Sequence, residues 1–120
     1  MKQEPYRLDA TRRAVVLRTL REVCRWRRWE MLAVHVRTRH VHVVVQADAS
    51  PEMVMTTFKS YASRALNQLG IDGEDRRRWA HHGSTRYLWT RDELLAAIHY
   101  VVCEQGASMA VFEAGDNAAP

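Results

Sequence analysis

From Thr11 to Arg27 the apolar residues return at helical intervals. Val16, Leu20 and Val23 make one stripe, Leu17 and Cys24 widen it, and arginines fill the other side. A period near 3.6 with one apolar face predicts an amphipathic helix over 11–27. The period then shortens. Residues 30–37 (EMLAVHVR) and 40–47 (HVHVVVQA) read as two strands, with Thr38-Arg39 left as a tight connection that lacks the usual Asn-Gly chemistry. Ser50-Pro51 opens a second helix, serine as N-cap and proline in the first turn, with Val54, Phe58, Tyr61, Ala65 and Leu69 as its stripe. Gly70 to Arg78 is a polar loop, and Thr85 to Trp89 a short strand. Thr90-Arg91-Asp92-Glu93 is a capping box that starts a helix ending before Gly106. Met109 to Glu113 predicts a last strand and residues 114–120 a frayed tail, so residues 1–113 form a single domain. This order predicts an α+β fold with helices on one sheet face and the other face open.

Composition adds little to the fold and more to the partner. With 120 residues and 47% hydrophobic content the chain can bury one core. No apolar run reaches the ~20 residues that span a bilayer, and the polar MKQEPYRLDATRR start is no signal peptide. The expectation is a soluble, cytoplasmic protein associated with the bacterial nucleoid and not with a membrane. Cys24 and Cys103 lack CxxC spacing and read as small buried thiols. The net charge is +4, and eleven of the 18 basic residues lie in the first forty positions. A second knot, Arg76, Arg77 and Arg78, precedes Trp79. Arginine binds phosphate through two parallel hydrogen bonds and stacks on bases, which suits nucleic acid; the same pattern also describes a solvated helix face.

The strand at 40–47 holds the candidate chemistry. Side chains alternate, so His40, His42, Val44 and Gln46 share one face and Val41, Val43 and Val45 the other. A two-residue turn at Thr38-Arg39 sets Arg37 opposite His40 and His35 opposite His42, with Val36 and Val34 beside Val41 and Val43. The valines then face the helices, and His35, Arg37, His40 and His42 stand on the open face, where two ring nitrogens can hold one divalent metal. A lone HxH is a weak signal, because solvated strands carry such pairs too.

Two stretches together are more specific. "RHVHVVV" resembles the His-hydrophobic-His motif of the HUH endonucleases, and "WAHHGSTRYLWTRDELLAAIHYVVCEQG" is similar to the end of their single-tyrosine transposases. That group includes small bacterial insertion-sequence transposases and REP-associated tyrosine transposases, and the likeness runs from about Arg12 to Gln105. It implies an RRM-like or ferredoxin-like antiparallel sheet with the HUH histidines on its open face. It also implies metal-dependent cleavage and rejoining of single-stranded DNA through a covalent 5′-phosphotyrosine. By the family's pattern Tyr100 is the nucleophile, and His40 and His42 are ligands of Mg²⁺ or Mn²⁺. The third ligand falls four residues after the tyrosine, at Glu104, with Gln105 as the alternative if the helix ends early. The implied partner is DNA with hairpin-containing element ends, and the family includes monomers and homodimers. Arg12, Arg13, Arg37, Arg39, Arg76, Arg77 and Arg78 are the candidate DNA contacts.

Other residues read more plainly. Tyr61 lies in an apolar stripe and belongs to the core. His81-His82 sit in a polar loop, and Trp79 and Trp89 read as packing anchors. Lys59 and Arg64 can face phosphate. The chain departs from the family at its start, where only Tyr6-Arg7-Leu8 precedes the first helix as first-strand material. A missing strand leaves a sheet edge exposed. The rival reading is a domesticated or truncated, non-catalytic nucleic-acid-binding module on an RRM-like sheet.

Overall fold

A computed structural model describes residues 4–73, 76–79 and 83–115. Helix α1 (Ala10–Arg27) is followed by strands β1 (Glu30–Val36) and β2 (Val41–Gln46), helix α2 (Pro51–Gln68), helix α3 (Arg91–Cys103) and strand β3 (Ala110–Glu113). The sheet has the order β2-β1-β3, and both pairings are antiparallel. His81 and His82, and Asp116 onward in the tail, lie outside the described residues.

Each helix begins where its sequence supplies an acceptor. The Asp9 carboxylate takes the Arg12 N–H across 2.9 Å, and Ser50 Oγ takes that of Met53 across 3.1 Å with Pro51 behind it. Thr90 and Glu93 close a reciprocal box at the start of α3. These caps satisfy N–H groups that no helix can pair internally. Helix α1 ends with Arg28 in the left-handed region at φ 58°, a conformation usually left to glycine.

The helices α1 and α2 pack on one sheet face around Val16, Leu20, Val23, Val34, Phe58 and Leu66, all buried. In α2 the buried stripe is Val54, Phe58, Ala62 and Leu66, so the expected Tyr61, Ala65 and Leu69 form its half-buried flank.

The strand register is the expected one at the turn, with His35 opposite His42 and Val36 opposite Val41. A bulge between Met31 and Ala33 then shifts the pairing, so that Leu32 joins Ala33 and Val44 on the second face. That face is not open along its length. Helix α3 lies across it through Val101, Leu94 and Ile98, because the bulge and the small Ala33 leave an apolar seat there. Two further expectations change. Thr85–Trp89 forms no strand. Tyr6-Arg7-Leu8 forms none either: Leu8 is buried and ties to the Thr38 carbonyl by one hydrogen bond of 2.8 Å. Among the described residues β2 therefore has no strand on its outer side. The Ala114 N–H continues the ladder onto the Leu32 carbonyl at 2.9 Å.

Candidate active site

The alternation of β2 sets His40 and His42 on the face that α3 crosses. Their ring centroids are 6.0 Å apart. Tyr100 reaches the same place from α3: its ring meets that of His42 edge to face, with centroids 6.1 Å apart and planes at 88°. Tyr100 is on the exposed flank of its helix, half accessible, as expected from the apolar run of Leu94, Ile98, Val101 and Val102. Burial lowers the pKa of His42, and the charges of His40, His35 and Arg37 lower it further. A neutral imidazole is the form that offers a lone pair to a metal.

His35 does not stand on an open face. It is fully buried beneath α3, with Nδ1 3.0 Å from the Val101 carbonyl oxygen and Nε2 3.0 Å from the Met109 N–H. Its part is to join the end of α3 to the start of β3. The sequence pattern paired it correctly with His42 but could not show which helix would cover it.

The end of α3 bears on the third ligand. The helix stops at Cys103, Glu104 leaves helical geometry at φ −111° and Gly106 turns left-handed at φ 80°. The Glu104 carboxylate is engaged with His99 Nδ1 at 3.0 Å. The Gln105 amide instead donates to the Tyr100 carbonyl at 3.1 Å, back along the tyrosine's own turn. No group of three His, Cys, Asp or Glu side chains that could hold a metal exists among the described residues.

The candidate DNA arginines divide. Arg12 and Arg78 are committed to Asp72, at 2.8 and 3.0 Å, and Arg12 also to Asp9 at 2.7 Å. Arg78 further donates to Asn67 Oδ1 at 2.8 Å, and its buried Nε has no hydrogen-bond partner among the described residues. Arg13 caps the Leu8 carbonyl at 2.8 Å. Arg76 donates to the Glu4 carbonyl and lies over the Tyr6 ring. These four guanidiniums hold the scaffold and have fewer donors left for a phosphate. Arg37 donates to the Ala107 carbonyl at 2.7 Å, which orders the loop after α3. Arg77 is exposed. Arg39 is exposed beside His40, and its guanidinium has no hydrogen bond or ion pair among the described residues.

Tyr61 packs on the opposite side, against Trp26 with centroids 5.6 Å apart and beneath the Arg64 guanidinium. Trp79 is a packing anchor as expected, with Nε1 donating to Ser63 Oγ at 2.7 Å. Trp89 is not: it is 78% exposed. Cys24 is buried, with its thiol pushed up to about 11 by burial, whereas Cys103 is exposed against expectation.

The family described as "Transposase IS200 like" matches residues 2–103. The chain belongs to that family. Membership makes DNA transposition its activity class and DNA its partner, and it covers every residue of the site except Glu104 and Gln105. No curated protein and no solved structure matches the chain significantly. Among the described residues no helix of this transposase is long and apolar enough to cross a membrane.

Proposed function

We propose that this transposase cuts and rejoins single-stranded DNA, with Tyr100 as nucleophile and His40, His42 and Gln105 as holders of Mg²⁺ or Mn²⁺. The observation that carries the reading is the meeting of Tyr100 with His42 across α3 and β2. The Tyr100 oxygen attacks phosphorus, its proton passes to water, the bond from phosphorus to the 3′ oxygen breaks, and that oxygen takes a proton from water. The products are a 5′-phosphotyrosine and a free 3′-hydroxyl. A 3′-hydroxyl attacking the phosphotyrosine reverses the step and frees the phenol, so rejoining needs no ATP. The bound divalent ion would offset negative charge growing on the phosphate. Arg39, exposed beside His40, is placed to meet a neighbouring phosphate.

Hairpin-bearing element ends are the proposed substrate. The test is incubation of the protein with labelled single strands and Mn²⁺, resolved on a denaturing gel. A protein–DNA adduct on single strands, absent from a plain duplex, is expected. Binding without any adduct would instead identify a non-catalytic DNA-binding member.

A further inference from the structure

Two large rings stand in solvent beside this site. Tyr87 is 52% and Trp89 78% exposed, and the two stack with centroids 5.0 Å apart and planes only 19° from parallel. Single exposed aromatics are ordinary on a surface. A parallel pair is different, because its outer faces remain flat, apolar and open to a third ring.

The pair is held in place. Glu93 Oε1 accepts the N–H groups of both Trp89 and Thr90, each across 3.0 Å, while Thr90 Oγ1 accepts that of Glu93 at 3.1 Å. The capping box thus fixes the backbone under Trp89 to the first turn of α3, the helix that carries Tyr100.

The surroundings select the kind of ring. A cleft of about 880 Å³ runs between the outer side of β2 and the segment from Gly83 to Trp89, and His40 and His42 line it too. Arg39, Lys59, Arg86 and Arg91 stand along it, and among the described residues its lining includes no aspartate or glutamate. Such a wall favours a polyanion whose flat groups can stack, and single-stranded DNA combines both features.

We propose that Tyr87 and Trp89 form a base-stacking platform for the single strand, a few nucleotides from the phosphate that Tyr100 attacks. The inference rests on the cleavage reading above for its location alone. From Arg91, two residues after Trp89, to Tyr100 the helix rises about 14 Å, which puts the stacked base a helix-length from the cut.

The test uses a fluorescein-labelled oligothymidylate, with binding followed by anisotropy and metal chelated throughout. Trp89→Ala should weaken binding by about tenfold and Trp89→Phe should recover most of it. A strand of the same length built from abasic units should bind wild type and Trp89→Ala alike. Circular dichroism checks that the variants stay folded. Trp89→Ala binding within about twofold of wild type overturns the platform. So does a shift from dimer to monomer on sedimentation with DNA affinity unchanged, which would assign the rings to a second copy of the chain. Because no metal is present, the readout is independent of cleavage. An adduct on Tyr100 with unaltered Trp89→Ala binding removes the platform alone, and the opposite result removes the chemistry alone.

Discussion

His35 ties the end of α3 to the sheet: its Nδ1 lies 3.0 Å from the carbonyl oxygen of Val101. The Met109 N–H, which can only donate, points at Nε2 across 3.0 Å. Nε2 is therefore the acceptor and the proton sits on Nδ1, the neutral tautomer. Val101 follows Tyr100, so this ring steadies the turn that carries the phenol. His35→Ala leaves two main-chain groups unpaired and a cavity where a fully buried ring stood, at a cost of about 3 kcal/mol in urea unfolding. The yield of DNA adduct should fall with it. A cost under about 1 kcal/mol would mean that α3 is held without this residue.

Metal binding tests the donor set. His40→Ala and His42→Ala should each abolish the Mn²⁺ heat seen by calorimetry with wild type. Gln105→Ala should weaken it at least about tenfold, more than a partner outside the coordination shell costs at minimum. Glu104→Ala should leave it near wild type, since that carboxylate is turned to His99. The reverse order for Glu104 and Gln105 would restore the carboxylate as third ligand.

What the sequence made legible follows from how local each signal is. Caps at Ser50 and Thr90 and the pairing of His35 with His42 depend on neighbours in the chain, and they stand as expected. The bulge at Leu32 has no glycine to announce it, yet it seats α3 on the histidine face and buries His35. Thr85–Trp89 alternates like a strand, but a strand needs a partner and the segment finds none among the described residues. Arginine spacing cannot reveal that Asp72, sixty residues from Arg12, claims two of the guanidiniums. Helical spacing favours Glu104 over Gln105, a choice that depends on where α3 unwinds.

Asp72 predicts an acid dependence of stability. Burial alone would push its carboxyl up, but hydrogen bonds from Tyr6, Arg12 and Arg78 outweigh it and hold the group at about 2. The side chain is only 7% exposed, so solvent screens little of this. A depressed folded pKa contributes stability that is complete above the unfolded value near ~4 and is lost as pH falls through about 2. The amount is on the order of 2 kcal/mol. Asp72→Asn should be less stable than wild type at neutral pH and the difference should shrink between pH ~4 and ~2. A difference that does not change with pH would place the carboxylate's contribution elsewhere.

Arg28 closes α1 at φ 58°. Outside glycine this region brings Cβ against the following carbonyl, and the cost is about 1 kcal/mol. Two hydrogen bonds from the turn, Arg28 N–H to Arg25 and Trp29 N–H to Cys24, keep the chain there. Arg28→Gly relieves the contact but loosens the unfolded chain, so a net gain of about 0.5 kcal/mol is expected. A melting temperature that rises by a few degrees would agree; a fall would show that the arginine side chain supports the cap.

The choice of nucleophile is the sharpest test, since the chain offers two tyrosines in helices with different surroundings. Tyr61 packs edge-on against Trp26 and under Arg64, on the side of α2 that faces α1. Tyr100 is half exposed and meets His42. A nucleophile for the proposed site has to reach a phosphate beside the histidines, and of these two only Tyr100 meets His42. Phenylalanine removes one oxygen and keeps the ring, so the edge-to-face contact with His42 survives and folding is spared. Tyr100→Phe should abolish the covalent adduct while Mn²⁺ and DNA binding stay close to wild type. Tyr61→Phe should cleave at about the wild-type rate. Mass spectrometry of the digested adduct reads the answer directly: a nucleotide on the peptide containing Tyr61, or an adduct that persists in Tyr100→Phe, would move the chemistry to another helix.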